Sequence, residues 1–146
     1  ALSANQPVYG VSAKDAVGYV AWLSKQTGES YRLPNSNEAK KWHKMAIQKA
    51  KEENTLNYWA GFEITPQEVI ELQEKVSEAG EQLIKAVGSH PPIMIEKAEI
   101  YDLGGNVKEY YQGGEAYGFS AYDYADAQTD PDHAPDQFSG IRVVKE

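Results

Sequence analysis

Cysteine is absent from the 146 residues, which excludes disulfides, thiolate metal sites and every cysteine nucleophile together. Compartment stays open, because cytosolic and exported proteins both occur without it. Basic charge is scarce: 14 Lys and Arg stand against 22 Asp and Glu, a formal net charge of −8. That is the wrong sign for a partner made of phosphates and argues against nucleic acid or anionic membrane as partner. No hydrophobic run approaches the roughly 18 residues of a membrane span, and no signal peptide is recognisable, so membrane insertion is not expected. An initiator methionine is missing too. The chain begins at Ala1, from which we expect processing upstream; a leader ahead of Ala1 would make the protein extracytoplasmic, that is periplasmic or secreted.

What remains is enough for one domain with a core that needs neither disulfide nor metal to fold. Ser12 followed by Asp15 reads as a helix cap, and Ala16, Tyr19, Val20 and Leu23 then keep a helical spacing until Gly28 ends the pattern. Asn35 and Glu38 repeat the cap, and Ala39, Trp42, His43, Ala46, Ile47 and Ala50 form the face of a second helix. A lone histidine on such a stripe, His43, reads as a core residue rather than a ligand. Thr65, Pro66 and Glu68 start a third helix, carried by Val69, Leu72, Val76, Ala79 and Leu83 to about Val87 despite Gly80.

Beyond Pro91 the helical period stops, and short β-leaning pieces such as "IMIEKAEIYDL" and "GIRVVK" alternate with Gly, Asp and Pro clusters. Within this part "YDLGGNVKEYY" sets Asp102 and Glu109 on either side of a Gly-Gly pair. Glycines let a chain turn until its carbonyl oxygens point inward, which suits a hard cation taking six to eight oxygens at roughly 2.3 to 2.6 Å. The same residues also suit a plain turn between strands with solvated acids. Between Lys108 and Arg142 there is no lysine or arginine, while Glu109, Glu115, Asp123, Asp126, Asp130, Asp132 and Asp136 interleave with Tyr110, Tyr111, Tyr117, Phe119, Tyr122 and Tyr124. Tyrosine offers rigid, amphipathic contact area, so Tyr117, Tyr122, Asp123, Tyr124, Asp126 and Asp130 form a candidate binding surface; the same tyrosines could equally close the core of a loop-rich fold.

Four pieces, in order, resemble the formylglycine-generating enzyme family, the sulfatase-modifying factors: "PVYGVSAKDAVGYVAWLSKQTGESYRLPNSNEAKKW", "LNYWAG", "AVGSHPP" with "IYDLGGNVKEYY", and "GG" with the closing "GIRVVKE". The resemblance implies a single α+β domain over 1–146, of an irregular C-type-lectin-like kind with two to three helices and little regular sheet. It also implies truncation at the N-terminus relative to the family, a helical insertion at about 65–87, and the rest of a longer parent chain as a partner. By position it places a structural calcium on the side chains of Asp102 and Glu109 and the carbonyls of Gly105 and Val107. A second family calcium site would begin at Asn57, and its acidic partner falls in the loop that the third helix replaces. The family's enzymes oxidise a sulfatase cysteine with copper held by two cysteines, whose positions fall near Gly118 and Asp123. Without cysteine no copper is expected, and formylglycine formation by that mechanism is excluded. His43, His90 and His133 lack the spacing of an iron site.

Two readings of function follow. One is a non-catalytic binding or structural module, its acidic and aromatic face open to a protein or a small cationic ligand. The other is an enzyme of the family with changed chemistry, using carboxylates such as Asp123 and Asp126 to hold a metal or to move protons.

Overall fold

The computed structural model describes residues 4–52, 65–67, 70, 71, 74, 78, 84–118, 120 and 137–146, with the side chains of 47 and 49–52 outside the description. Helix α1 spans Ala13–Thr27, and its start is the capping box read from the sequence: Ser12 accepts from the Asp15 N–H while the Asp15 carboxylate accepts from the Ser12 N–H. Gly28 ends it in the left-handed conformation at φ 72°. Helix α2 spans Ser36–Glu52 and is opened by the same reciprocal device, the Glu38 N–H donating to Asn35 Oδ1 at 2.9 Å and the Asn35 N–H to Glu38 Oε2 at 2.8 Å.

Strands are short. β1 (Tyr31–Arg32) pairs antiparallel with β7 (Val144–Lys145), tying the residues after α1 to the end of the chain. β2 (Ile93–Ile95) and β3 (Ala98–Ile100) form a hairpin in which Glu96 takes a left-handed φ of 58°. A three-stranded sheet runs β5–β4–β6, with β4 (Lys108–Tyr110) antiparallel to β5 (Ala116–Tyr117) and parallel to β6 (Ser139–Ile141). Gly113 and Gly114, both at positive φ, make the turn from β4 into β5.

Two apolar clusters make the described core. Ala16, Val20, Leu33 and Tyr110 gather under α1, and the Tyr110 hydroxyl donates to the Val11 carbonyl at 3.1 Å, so the ring is 1% exposed without an unsatisfied polar tip. Ala46, Ile93 and Leu103 join Trp42 and Met45 beneath α2. One member of the expected α1 face departs from it: Tyr19 is 43% exposed, because the apolar stripe of α1 narrows to Ala16 and Val20 against the sheet. Pro66, Gln67, Ile70, Glu71, Glu74 and Glu78 are helical, while 84–88 are not. The expected end of the third helix at about 87 is therefore too late: the Lys85 peptide is bound by another side chain, described below, and Gly88 turns at φ 80°.

Candidate functional site: the 102–109 turn and its cleft

The turn from Asp102 to Glu109 is built on three left-handed residues, Asp102 at φ 53°, Gly104 at 79° and Asn106 at 67°. Only one of the two glycines supplies the conformation expected of the pair; the other left-handed positions fall to Asp and Asn, which tolerate it through local hydrogen bonding. At Gly104 a side chain would also stand 2.9 Å from Ala46 Cβ, so α2 and the turn meet there without room for one.

Asn106 locks the turn from within. It is 1% exposed, and its side-chain amide closes on the Lys85 peptide from both sides, Nδ2 donating to the carbonyl and Oδ1 accepting from the N–H, each at 3.0 Å. Asp102 adds a second tie: its Oδ2 accepts from the Gly88 N–H at 2.8 Å. These bonds explain why "AVGSHPP" and "YDLGGNV" belong to one structural unit.

Glu109, on β4, is met by Arg142 from the far end of the chain. Arg142 Nε donates to Glu109 Oε2 at 2.7 Å and Nη2 donates to the Tyr101 carbonyl at 2.9 Å, with the two side chains 21% and 19% exposed. Burial raises the Glu109 carboxyl above its ordinary value, Arg142 pulls against that rise, and the charge of Asp102 adds to it. For Arg142 burial opposes the charge, yet Glu109 holds the guanidinium above its ordinary value. Asp102, Glu109 and Arg142 therefore form one electrostatic cluster.

All three line a cleft of about 590 Å³, within the size range of small-molecule sites. All four residues expected on a calcium ion, Asp102, Gly105, Val107 and Glu109, line it, together with Arg142 and the apolar side chains of Val8, Tyr19, Val87 and Val143. The oxygens decide how well a cation suits. Asp102 Oδ1 is shielded from solvent and receives no hydrogen bond from a described residue, which fits a cation. Glu109 is shared with the guanidinium, so an ion there and Arg142 would compete for it. Among the described residues no three His, Asp or Glu side chains converge as a metal site.

The other candidate surface is described only at Tyr117, which is half-buried, its ring edge-on to His43 at 5.0 Å and to Tyr111 at 6.2 Å. Tyr122, Asp123, Tyr124, Asp126 and Asp130 lie outside the described residues. His43, expected in the core, packs between α2 and β5, and burial lowers its pKa. Sequence reasoning missed Arg142, Asn106 and Tyr19. The signal for Arg142 was its place as the first lysine or arginine after a long acidic stretch.

The fold has a counterpart among solved structures: the structure of PvdO from Pseudomonas aeruginosa superposes with a TM-score of 0.51 at 18% identity, covering 100% of this chain and 64% of that one. The chain thus spans less than two thirds of that protein. No curated protein sequence matches it. Residues 1–146 match the sulfatase-modifying factor enzyme 1-like domain, and with the α+β architecture, short strands and motif order seen above, the chain belongs to that family.

Proposed function

We propose that this domain is a non-catalytic binding module of its family, with its ligand site in the cleft over the 102–109 turn. In this reading the turn is a calcium-type site: Asp102 Oδ1 and the carbonyls of Gly105 and Val107 would hold the ion, with Glu109 drawn from Arg142. The observation that carries it is the Asp102 oxygen, shielded from solvent and without a hydrogen bond from a described residue, in a turn whose residues line a cleft with largely apolar walls. Bound calcium would tie the turn to residues 85–88 and stiffen the cleft floor; redox chemistry is not asked of it. The absence of cysteine supports the non-catalytic half, since copper held by thiolates is the family chemistry that the resemblance implies.

Two measurements test the reading. Thermal melts with millimolar calcium and with chelator should differ by several degrees, because an ion bound only by the folded state stabilises it by mass action. A Cys-x-Pro-x-Arg peptide incubated with the protein, copper and oxygen should keep its mass. Coincident melts would remove the calcium, and a mass change to the aldehyde would make the domain an enzyme.

A further inference from the structure

We infer that residues 85–88 are a relay joining the 102–109 turn to a strap near the start of the chain, so that two walls of the cleft loosen and tighten together. The turn grips the relay at both ends. Asn106 holds the Lys85 N–H and carbonyl, and Asp102 Oδ2 accepts from the Gly88 N–H. The strap takes the position between them: the Val87 N–H donates to the Asn5 carbonyl at 2.7 Å. Consecutive N–H groups, at 87 and 88, are thus bound by the strap and by the turn. The inference goes beyond the calcium-type reading, because the chain's own groups make these ties and no ion is needed.

Between its anchors the strap is a wall of the cleft. Asn5 is tied to the relay, and Tyr9 bridges antiparallel to Gly140 of β6 with its ring 6.0 Å from that of Phe138. Gln6, Pro7 and Val8, in between, line the cleft, as do Val87 of the relay and the residues of the turn. The strap is the part built to move: Asn5 and Val8 are exposed, and Gly10 just beyond it is left-handed at φ 70°, a conformation in which glycine bends freely. The relay is stiffer. Gly88 is also left-handed, at φ 80°, yet the Tyr101 ring lies 3.6 Å from where its Cβ would stand and Asp102 holds its N–H, so it passes a displacement on rather than absorbing it. Loosening the turn then loosens the strap, and the reverse holds because coupling between sites is reciprocal. A molecule seated in the cleft would bias the turn through the strap.

The test is amide hydrogen exchange, read by NMR on the whole chain with chelator present, in Asp102→Gly and Pro7→Gly. Glycine accepts the left-handed backbone at 102, where φ is 53°, and removes the acceptor of the Gly88 N–H. Pro7→Gly frees the strap and leaves every hydrogen bond named here in place. The Gly28 N–H, bonded to the Ser24 carbonyl at the end of α1, reports any general loss of stability. In Asp102→Gly the Val87 N–H, whose own acceptor on Asn5 is untouched, should exchange at least ~10-fold faster relative to Gly28, because local opening sets the rate. In Pro7→Gly the Gly88 N–H should exchange at least ~3-fold faster on the same scale. Val87 exchange within ~2-fold of wild type in Asp102→Gly, or rising only in step with Gly28, overturns the inference. So does a Gly88 N–H indifferent to Pro7→Gly, or an equal rise at Val87 in Asp102→Asn, which keeps the acceptor and removes only the charge. Since no ion takes part, those results leave the calcium-type turn to its own melts.

Discussion

Replacing Arg142 by methionine removes the cation from the cluster while keeping most of the stem. Glu109 then keeps the charge of Asp102 nearby with no opposite charge at 2.7 Å, and the Tyr101 carbonyl loses its guanidinium donor. Stripping one partner from a fully buried pair costs about 3–5 kcal/mol. Here both side chains keep about a fifth of their exposure, so water recovers part of the loss and about 2–3 kcal/mol is the reasoned cost. For a chain of this length that is a fall in Tm of about 6–12 °C. Glu109→Leu should cost a similar amount by leaving the guanidinium unpaired. The double variant should lose less than the two singles together, with a coupling of about 2 kcal/mol, because each single strands a charge and the double strands none. The lost Tyr101 hydrogen bond occurs in both Arg142 backgrounds and cancels from the cycle. Urea titrations of the four proteins measure it. Single effects below about 0.5 kcal/mol that simply add would mean a solvated surface pair, and the electrostatic account of the cleft base would fail.

Other outcomes follow from named contacts. Asn106→Ala loses both hydrogen bonds to the Lys85 peptide and puts alanine at φ 67°; urea unfolding should register a loss of about 2–4 kcal/mol. Gly18→Ala should stabilise by about 0.5–1 kcal/mol, since Gly18 lies inside α1 with nothing within 4 Å of an added Cβ, whereas Gly140→Ala should destabilise because that Cβ would collide with the Val8 carbonyl oxygen. Acid should weaken the fold in two stages. Burial lowers His43 and His90 from 6.5, so their contribution is present above that pH and is lost as they are forced to charge below it. Arg32 holds Glu38 at about 2 against an ordinary 4.5, so that contribution is lost only as pH falls from 4.5 towards 2. Tm against pH should show both declines, and Arg32→Met should flatten the second.

Features decided within a few residues were legible. Ser12 with Asp15, Asn35 with Glu38, and Gly28 each act through bonds spanning three or four residues, and the structure uses all three as read. The turn at 102–109 was visible for the same reason, although which residues turn left-handed was not: Gly105 looked equivalent to Gly104, yet only Gly104 of the two takes a positive φ, and it is there that α2 comes close. What the sequence hid is long-range. Arg142 reaches Glu109 across 33 positions, and Asn106 closes on Lys85 across 21, separations at which neither periodicity nor spacing carries a signal. The outward turn of Tyr19 was hidden too, because a helical period marks a face without saying how much of it the neighbouring sheet can cover.

The claim that the base of the cleft is a cation site is met most directly by terbium luminescence, since that ion takes the oxygen sites of calcium and is sensitised by a nearby tyrosine, here Tyr101. The account predicts saturable, tyrosine-excited emission that calcium displaces, that Asp102→Asn abolishes, and that Arg142→Met strengthens by freeing Glu109. Emission that fails to saturate, or that persists unchanged in Asp102→Asn, would contradict it.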